Sequence, residues 1–173
     1  EQHRAEQLRI INQVSQSIAG ILDVNGLLRE TAALIHQKFG YCHVAIGLVE
    51  GDFVVYQAHA GTGLAPMNES NGDESPFVPN RLRVGKEGLT GRAAATGIPI
   101  NVPDVSREPR YIQMHGLKTR SEIVVPNKSK DVVIGVLDVQ SEKLNQFGQS
   151  DLDILQSLAN QLAVAIENAR LHE

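Results

Sequence analysis

Ser121–Val139 reads SEIVVPNKSKDVVIGVLDV. Two runs rich in β-branched residues, Ser121–Lys128 and Asp131–Val139, flank the polar pair Ser129-Lys130, which is the pattern of a β-hairpin. The apolar stretches are continuous and do not alternate with polar residues, so both strands are expected near the middle of a sheet, covered on both faces. Such a sheet needs flanking strands, and the chain supplies them upstream. Cys42, Val44, Ile46 and Leu48 alternate with His43, Ala45, Gly47 and Val49. Gly51-Asp52 then provides turn chemistry and Phe53–Ala60 returns as the second strand of another hairpin.

Helices border these hairpins. Ile11, Val14, Ile18 and Ile21 form one apolar stripe at three- and four-residue steps. Asp23 is placed to cap a second helix whose Leu27, Thr31, Leu34 and Ile35 face inward, and Gly40 is placed to end it. The last segment, 150–173, starts at a candidate cap, Ser150, with Asp151 and Asp153 at its positive end. Leu155, Leu158, Leu162, Ile166 and Ala169 continue its stripe. Between the hairpins, residues 61–80 are rich in Gly, Ser, Asn and Pro, long for a connection, and read as a lid or as a mobile loop. Arg81–Val84 suits a short strand, Gly88–Gly97 a small-residue helix, Ile98–Val102 a short extended piece, and Asp104 a cap for a helix over Val105–Gly116.

This order is not a βαβ alternation. It implies an α+β domain with an antiparallel sheet and helices packed on it. One domain is expected over 1–173, with an N-terminal helix (1–22), a core (23–149) and a C-terminal helix (150–173). A hydrophobic content of 42% supports one core, and the 4% aromatic share makes that core aliphatic. The net charge of −4, with Lys and Arg scattered, argues against a nucleic-acid partner. A single cysteine, Cys42, excludes an internal disulfide. The longest strongly apolar run, Val132–Leu137, is too short to cross a membrane, and residues 1–22 do not form a signal peptide. A cytoplasmic location without membrane contact is therefore expected, with chain ends that look like helices continuing elsewhere.

With these elements placed, the chain resembles the GAF domain family over almost its whole length. The resemblance rests on Gly88-Leu89-Thr90-Gly91, Ile100-Asn101-Val102-Pro103-Asp104-Val105, Ser121-Glu122-Ile123-Val124-Val125-Pro126, and Val133 through Ser141, followed by Phe147 and the closing amphipathic helix. It implies an antiparallel sheet of five or six strands. The long terminal helices would lie on one face, and a ligand cavity under short helices and loops on the other.

The family's specialisations can each be set against these residues. Bilin-binding members are similar around Tyr111–Leu117 but attach the chromophore through a nearby cysteine, where this chain has Arg107, Glu108, Pro109 and Arg110. Free methionine sulfoxide reductases work by thiol–disulfide exchange with at least two cysteines. Cys42 is alone, in an apolar strand that disfavours a thiolate, and reads as a small core residue. Cyclic-nucleotide binders carry an Asn-Lys motif, then Phe and an Asp-Glu pair; here Asn145-Gln146-Phe147 and Asp151-Leu152 lack the lysine and the glutamate. Haem binders place a histidine before the Gly-rich helix, and 80–87 has none.

Six histidines, His3, His36, His43, His59, His115 and His172, form no familiar metal pattern. His43 and His59 read as a surface pair on the first hairpin. His115 reads either as a ligand contact or as a helix-end cap before Gly116. No Gly-x-Ser-x-Gly occurs, and Gly85–Gly91 lacks the ending of a phosphate loop.

The sequence thus points to a non-catalytic, small-molecule-sensing module of a bacterial-type signalling protein, such as a histidine kinase of a two-component system, a response regulator or a transcription activator. Its ligand and any cofactor are unspecified. The cavity is expected to be lined by Leu89, Ile100, Tyr111, Ile112, Met114, His115 and Val125. The terminal helices would relay occupancy, with Ile11, Ile18, Leu155 and Leu162 as a homodimer seam or, equally, as packing on the domain's own sheet. The rivals are a ligand-free dimerisation module and, ranked behind it, a reductase-like enzyme or a cyclic-nucleotide binder.

Overall fold

The computed structural model describes residues 2–41, 43–61, 81–112 and 117–172. Two helices, α1 (Gln2–Ile18) and α2 (Val24–Phe39), precede the hairpin β1 (His43–Glu50) and β2 (Phe53–Gly61). Then come β3 (Arg81–Arg83), α3 (Gly88–Thr96), β4 (Ile100–Val102) and a 3-10 turn at Val105–Arg107. The second hairpin, β5 (Ser121–Ser129) and β6 (Val132–Ser141), leads into α4 (Gln149–Leu171). The six strands form one antiparallel sheet in the order β3-β2-β1-β6-β5-β4. The two strands read first from the sequence, β5 and β6, are interior, as their apolar runs require.

Strand alternation divides the sheet's residues between two layers. Val44, Ile46 and Leu48 of β1, Ile123 and Val125 of β5, and Leu137 and Val139 of β6 pack under α1, α2 and α4. Leu27, Ile35, Leu155, Leu162 and Ile166 meet them there with essentially no exposure. Each such aliphatic side chain contributes about 1.5–3 kcal/mol by leaving water, so this layer supplies most of the fold's stability. The opposite face carries Val54, Val124 and Val136, covered by Leu89, Ala93 and Ala94 of α3 and by Val105.

Local chemistry sets the element ends. Asp23 accepts a hydrogen bond from the Gly26 amide at 2.8 Å, and Gly40 (φ 71°) closes α2 onto His36, as expected. At α4 the cap differs from expectation. The helix starts at Gln149, and Asp151 reaches back to accept from the Gly148 amide at 2.9 Å. Ser150 instead accepts from Gln7 at 2.7 Å, tying α4 to α1. The hairpin turn falls at Lys130-Asp131, both at positive φ (52° and 66°), one residue later than read; this geometry matches the twist of the paired strands. The expected helix over Val105–Gly116 is a single 3-10 turn in the described part. Asp104 does cap it, accepting from the Ser106 amide at 3.0 Å, but Pro109 follows too closely for a helix to extend. Residues 113–116, Cys42 and nearly all of the 61–80 stretch lie outside the described residues.

Candidate functional site

On the face away from the terminal helices, the ladder register gathers an unusual set of polar groups. Glu122 of β5 pairs with Gln140 of β6, and Val124 pairs with Asp138. Glu122 and Asp138 therefore sit diagonally on the same face of neighbouring strands. Both are buried, at 4% and 3% exposure. β2 brings Tyr56 to the pair and α3 brings Thr90, their hydroxyls 2.8 Å apart. Gln140 donates to Asp138 Oδ2 at 3.5 Å and accepts from Thr119 at 2.6 Å. Among the described residues Asp138 Oδ1 has no hydrogen-bond partner, although it is shielded from water.

A small cavity opens at these groups, lined by Tyr56, Leu82, Gly88, Leu89, Thr90, Ile112, Glu122, Asp138 and Gln140. Its volume is about 20 Å³, room for one water molecule or a group of that size. Two glycines shape it. Gly88 has φ 68°, and a Cβ there would meet Ile112 Cδ1 at 3.0 Å; at Gly91 a Cβ would meet the Arg83 carbonyl oxygen at 2.6 Å. The glycine-rich 85–91 stretch thus serves a turn and the close seating of α3, as its composition suggested. A wider surface groove of about 400 Å³ shares Gly88 and Ile112 and includes Lys86, Arg92, Arg110 and Tyr111.

Burial governs the electrostatics. Glu122 is held well above the usual carboxylate range by desolvation and by the neighbouring Asp138. Asp138 is also raised by burial, against the opposing effect of hydrogen bonds from Glu122, Gln140 and Tyr56. The Tyr56 phenol is pushed far up by burial and the Asp138 charge, so it stays protonated. No ion pair to either acid occurs among the described residues.

Beside Gln140 in the ladder stands His43. It is fully buried, and its ring meets that of His59 edge-on with centroids 5.8 Å apart. The two are neighbours as expected, but His43 is an interior residue rather than half of a surface pair. Neither of its ring nitrogens has a partner among the described residues, and its pKa falls to about 3 through burial, then through His59 and His36. No cluster able to hold a metal occurs among the described residues.

The expected lining residues divide among different places. Leu89 and Ile112 line the inner cavity, and Tyr111 and Ile112 line the outer groove. Ile100 packs against the small core under α3. Val125 lies on the opposite face, in the helix-side core, because it is odd-numbered with Ile123 while the cavity takes the even positions. Met114 and His115 fall outside the described residues. Ile11, Ile18, Leu155 and Leu162 are all buried within this one chain, which is the intramolecular of the two roles considered for them. The polar centre itself, Tyr56, Thr90, Glu122, Asp138 and Gln140, was missed. Its signal was nonetheless present: Glu122, Asp138 and Gln140 interrupt runs that were read as covered on both faces.

An antiparallel sheet with a helix layer on one side and a small polar pocket on the other places the chain in the α+β class. The family model described as "GAF domain" matches residues 23–166, and the chain belongs to that family. It is 30% identical to GAF domain-containing protein A of Dictyostelium discoideum, over 82% of this chain and 80% of that protein. It is 31% identical to the Nif-specific regulatory protein of Azospirillum brasilense, over 96% of this chain but only 26% of that longer protein. Among solved structures, the free methionine-R-sulfoxide reductase of Neisseria meningitidis, in complex with its substrate, superposes with a TM-score of 0.82. It is 32% identical, over 96% of this chain and 92% of the reductase chain.

That last likeness corrects the expectation of a domain without catalytic activity, since a protein this similar over nearly its full length is an enzyme. That expectation rested on the single cysteine and on missing catalytic motifs. It did not weigh the fold and pocket that an enzyme also needs to hold its substrate. Among the described residues no helix is long and apolar enough to cross a membrane.

Proposed function

We propose that this domain is a regulatory module whose polar pocket takes a small molecule with an ammonium group, of the size of a free amino acid. One observation carries the reading: two buried carboxyl groups, Glu122 and Asp138, meet at a water-sized hole with no cationic side chain paired to them among the described residues. An isolated buried carboxylate is costly, and an ammonium group that donates to both acids and to Tyr56 would offset that cost. The rest of the molecule would leave past Ile112, which is 37% exposed at the rim. The Nif-specific relative supports a regulatory setting, and the reductase, solved with its substrate, supports a pocket for a small ligand. Occupancy would reach α4 through β5, whose Ile123 and Val125 pack in the helix-side core with it. The ligand must then favour one seating of α4 over another, because equal affinity for both shifts nothing.

The test is thermal melting with L-methionine, L-methionine sulfoxide and N-acetyl-L-methionine. The free amino acids are expected to raise the melting temperature, the acetylated compound to leave it unchanged, and Glu122→Gln to abolish the shift. Stabilisation by the acetylated compound equal to that by the free ones would exclude an ammonium site.

The likeness to the reductase favours a second reading, reduction of free methionine sulfoxide. With one thiol in the sequence, the balanced route is attack of the Cys42 thiolate on the sulfoxide sulfur. Methionine leaves and the sulfoxide oxygen stays on Cys42 as a sulfenic acid. Two external thiols then return the thiol, yielding their disulfide and water. Dithiothreitol-dependent loss of free methionine sulfoxide, abolished by Cys42→Ser, is the expected signature. Equal rates in both proteins would remove this reading.

A further inference from the structure

The acid pair raises a question of charge that the pocket's shape does not answer by itself. Every described element around it offers a neutral group. β2 presents the Tyr56 phenol, α3 the Thr90 hydroxyl, β6 the Gln140 amide, and β4 the apolar Val102 opposite Glu122. β1 presents Ala45 opposite Asp138, with the uncharged His43 imidazole beside Gln140. Thr119 adds a hydroxyl behind Gln140. Two carboxyl groups buried on one small cavity, with no cationic side chain beside them among the described residues, do not both ionise. Both acids line the same small cavity on neighbouring strands, and one proton held by the pair leaves the site a single negative charge.

We propose that the ligand-free pocket keeps a proton shared between Glu122 and Asp138, and that an incoming ammonium group takes its place and releases it to solvent. This inference rests on the reading of the pocket as an ammonium site. The charge balances on both sides of the exchange. The empty site holds two carboxyl groups and one proton, and the filled site holds two carboxylates and one ammonium, so each carries a single negative charge. Only O–H bonds change: the acid pair loses its proton and a buffer base gains it. Asp138 Oδ1, shielded and unpartnered, is the acceptor left for the ammonium. Binding is thereby tied to pH. Affinity rises by as much as about tenfold per pH unit through neutrality, the slope of one released proton.

Two measurements on the whole domain test this. Infrared spectra of the ligand-free protein at neutral pH should show a protonated-carboxyl band that is missing from Glu122→Gln. Calorimetry with L-methionine in phosphate, HEPES and Tris buffers should give heats that change with buffer ionisation enthalpy, with a slope of about one proton released. Absence of the infrared band from the wild-type spectrum overturns the resident proton. Binding heats that do not depend on the buffer overturn the exchange while leaving the ammonium pocket intact. No heat with L-methionine or L-methionine sulfoxide overturns the ammonium pocket, and the exchange with it.

Discussion

Acidification should unfold this domain through His43. The imidazole is fully buried with both nitrogens unpartnered, and its pKa is depressed to about 3 by burial, then His59 and His36. In the unfolded chain a histidine titrates near about 6.5. The folded value is the lower one, so the unfolded chain takes up the proton first. Stability is then lost as pH falls from about 6.5 towards the folded-state value of about 3. Within that window each pH unit costs about 1.4 kcal/mol, and the descent from pH 7 to pH 5 costs about 2 kcal/mol. Urea unfolding of the wild type and of His43→Leu at pH 7, 6 and 5 isolates this contribution, because titrations common to both proteins cancel in the difference. The replacement also removes two unsatisfied buried nitrogens, which favours the variant at every pH. Whatever the gap at pH 7, it should move in the variant's favour by about 2 kcal/mol at pH 5. A gap that holds constant across the three pH values would refute a buried, neutral His43.

The acid pair predicts the opposite slope. Folded Glu122 is raised above its unfolded value, so its contribution to stability is full at low pH and is lost as pH rises; Glu122→Gln should gain on the wild type with increasing pH in the same urea experiment. Gly91→Ala forces a Cβ to within 2.6 Å of the Arg83 carbonyl oxygen, and melting should report a loss of about 1–3 kcal/mol. Leu162→Ala empties a fully packed site on α4 and should cost about 2–5 kcal/mol. That loss should not depend on protein concentration, as a dimer-seam residue would require. Asp151→Ala removes both the cap on Gly148 and the bond to the Tyr41 hydroxyl, and denaturant unfolding should show a loss of about 1–2 kcal/mol.

Periodicity made the fold legible, and it failed where two layers compete for the same residues. Asp23 and Gly40 capped α2 as read because a cap needs only its local backbone. Ser150 looked like an equally good cap, yet the helix starts earlier and Asp151 does the capping, leaving Ser150 to bond Gln7 more than 140 residues away, a partner no local rule supplies. Val125 was assigned to the cavity as a member of an apolar run. In an interior strand such a run feeds both faces, and only the pairing of Val124 with Asp138 shows which parity meets the pocket. Leu89 was found because the Gly-rich stretch localises it and Ile112 because it lies in the Tyr111–Leu117 stretch, whereas Glu122 and Asp138 were hidden by the apolar residues around them.

The same parity rule connects the pocket to the helix layer. Along β5, Glu122 and Val124 face the cavity side while Ile123 and Val125 face the helix layer. Adjacent residues of one strand cannot move independently, because each peptide plane fixes the relative direction of its two side chains. Gln156 of α4 also donates to the Pro126 carbonyl of that strand at 3.4 Å, so helix and strand share a polar contact as well as a packed one. In the proposed relay, exchanging the pair's proton for a bound ammonium group changes the forces on Glu122, and the nearest bodies that can respond are β5 and the helix resting on it. Interiors packed to this density answer by switching between discrete arrangements and not by gradual strain. A ligand effect at the far end of α4 therefore requires two seatings of that helix on Ile123 and Val125, and these are the contacts at which the relay stands or fails.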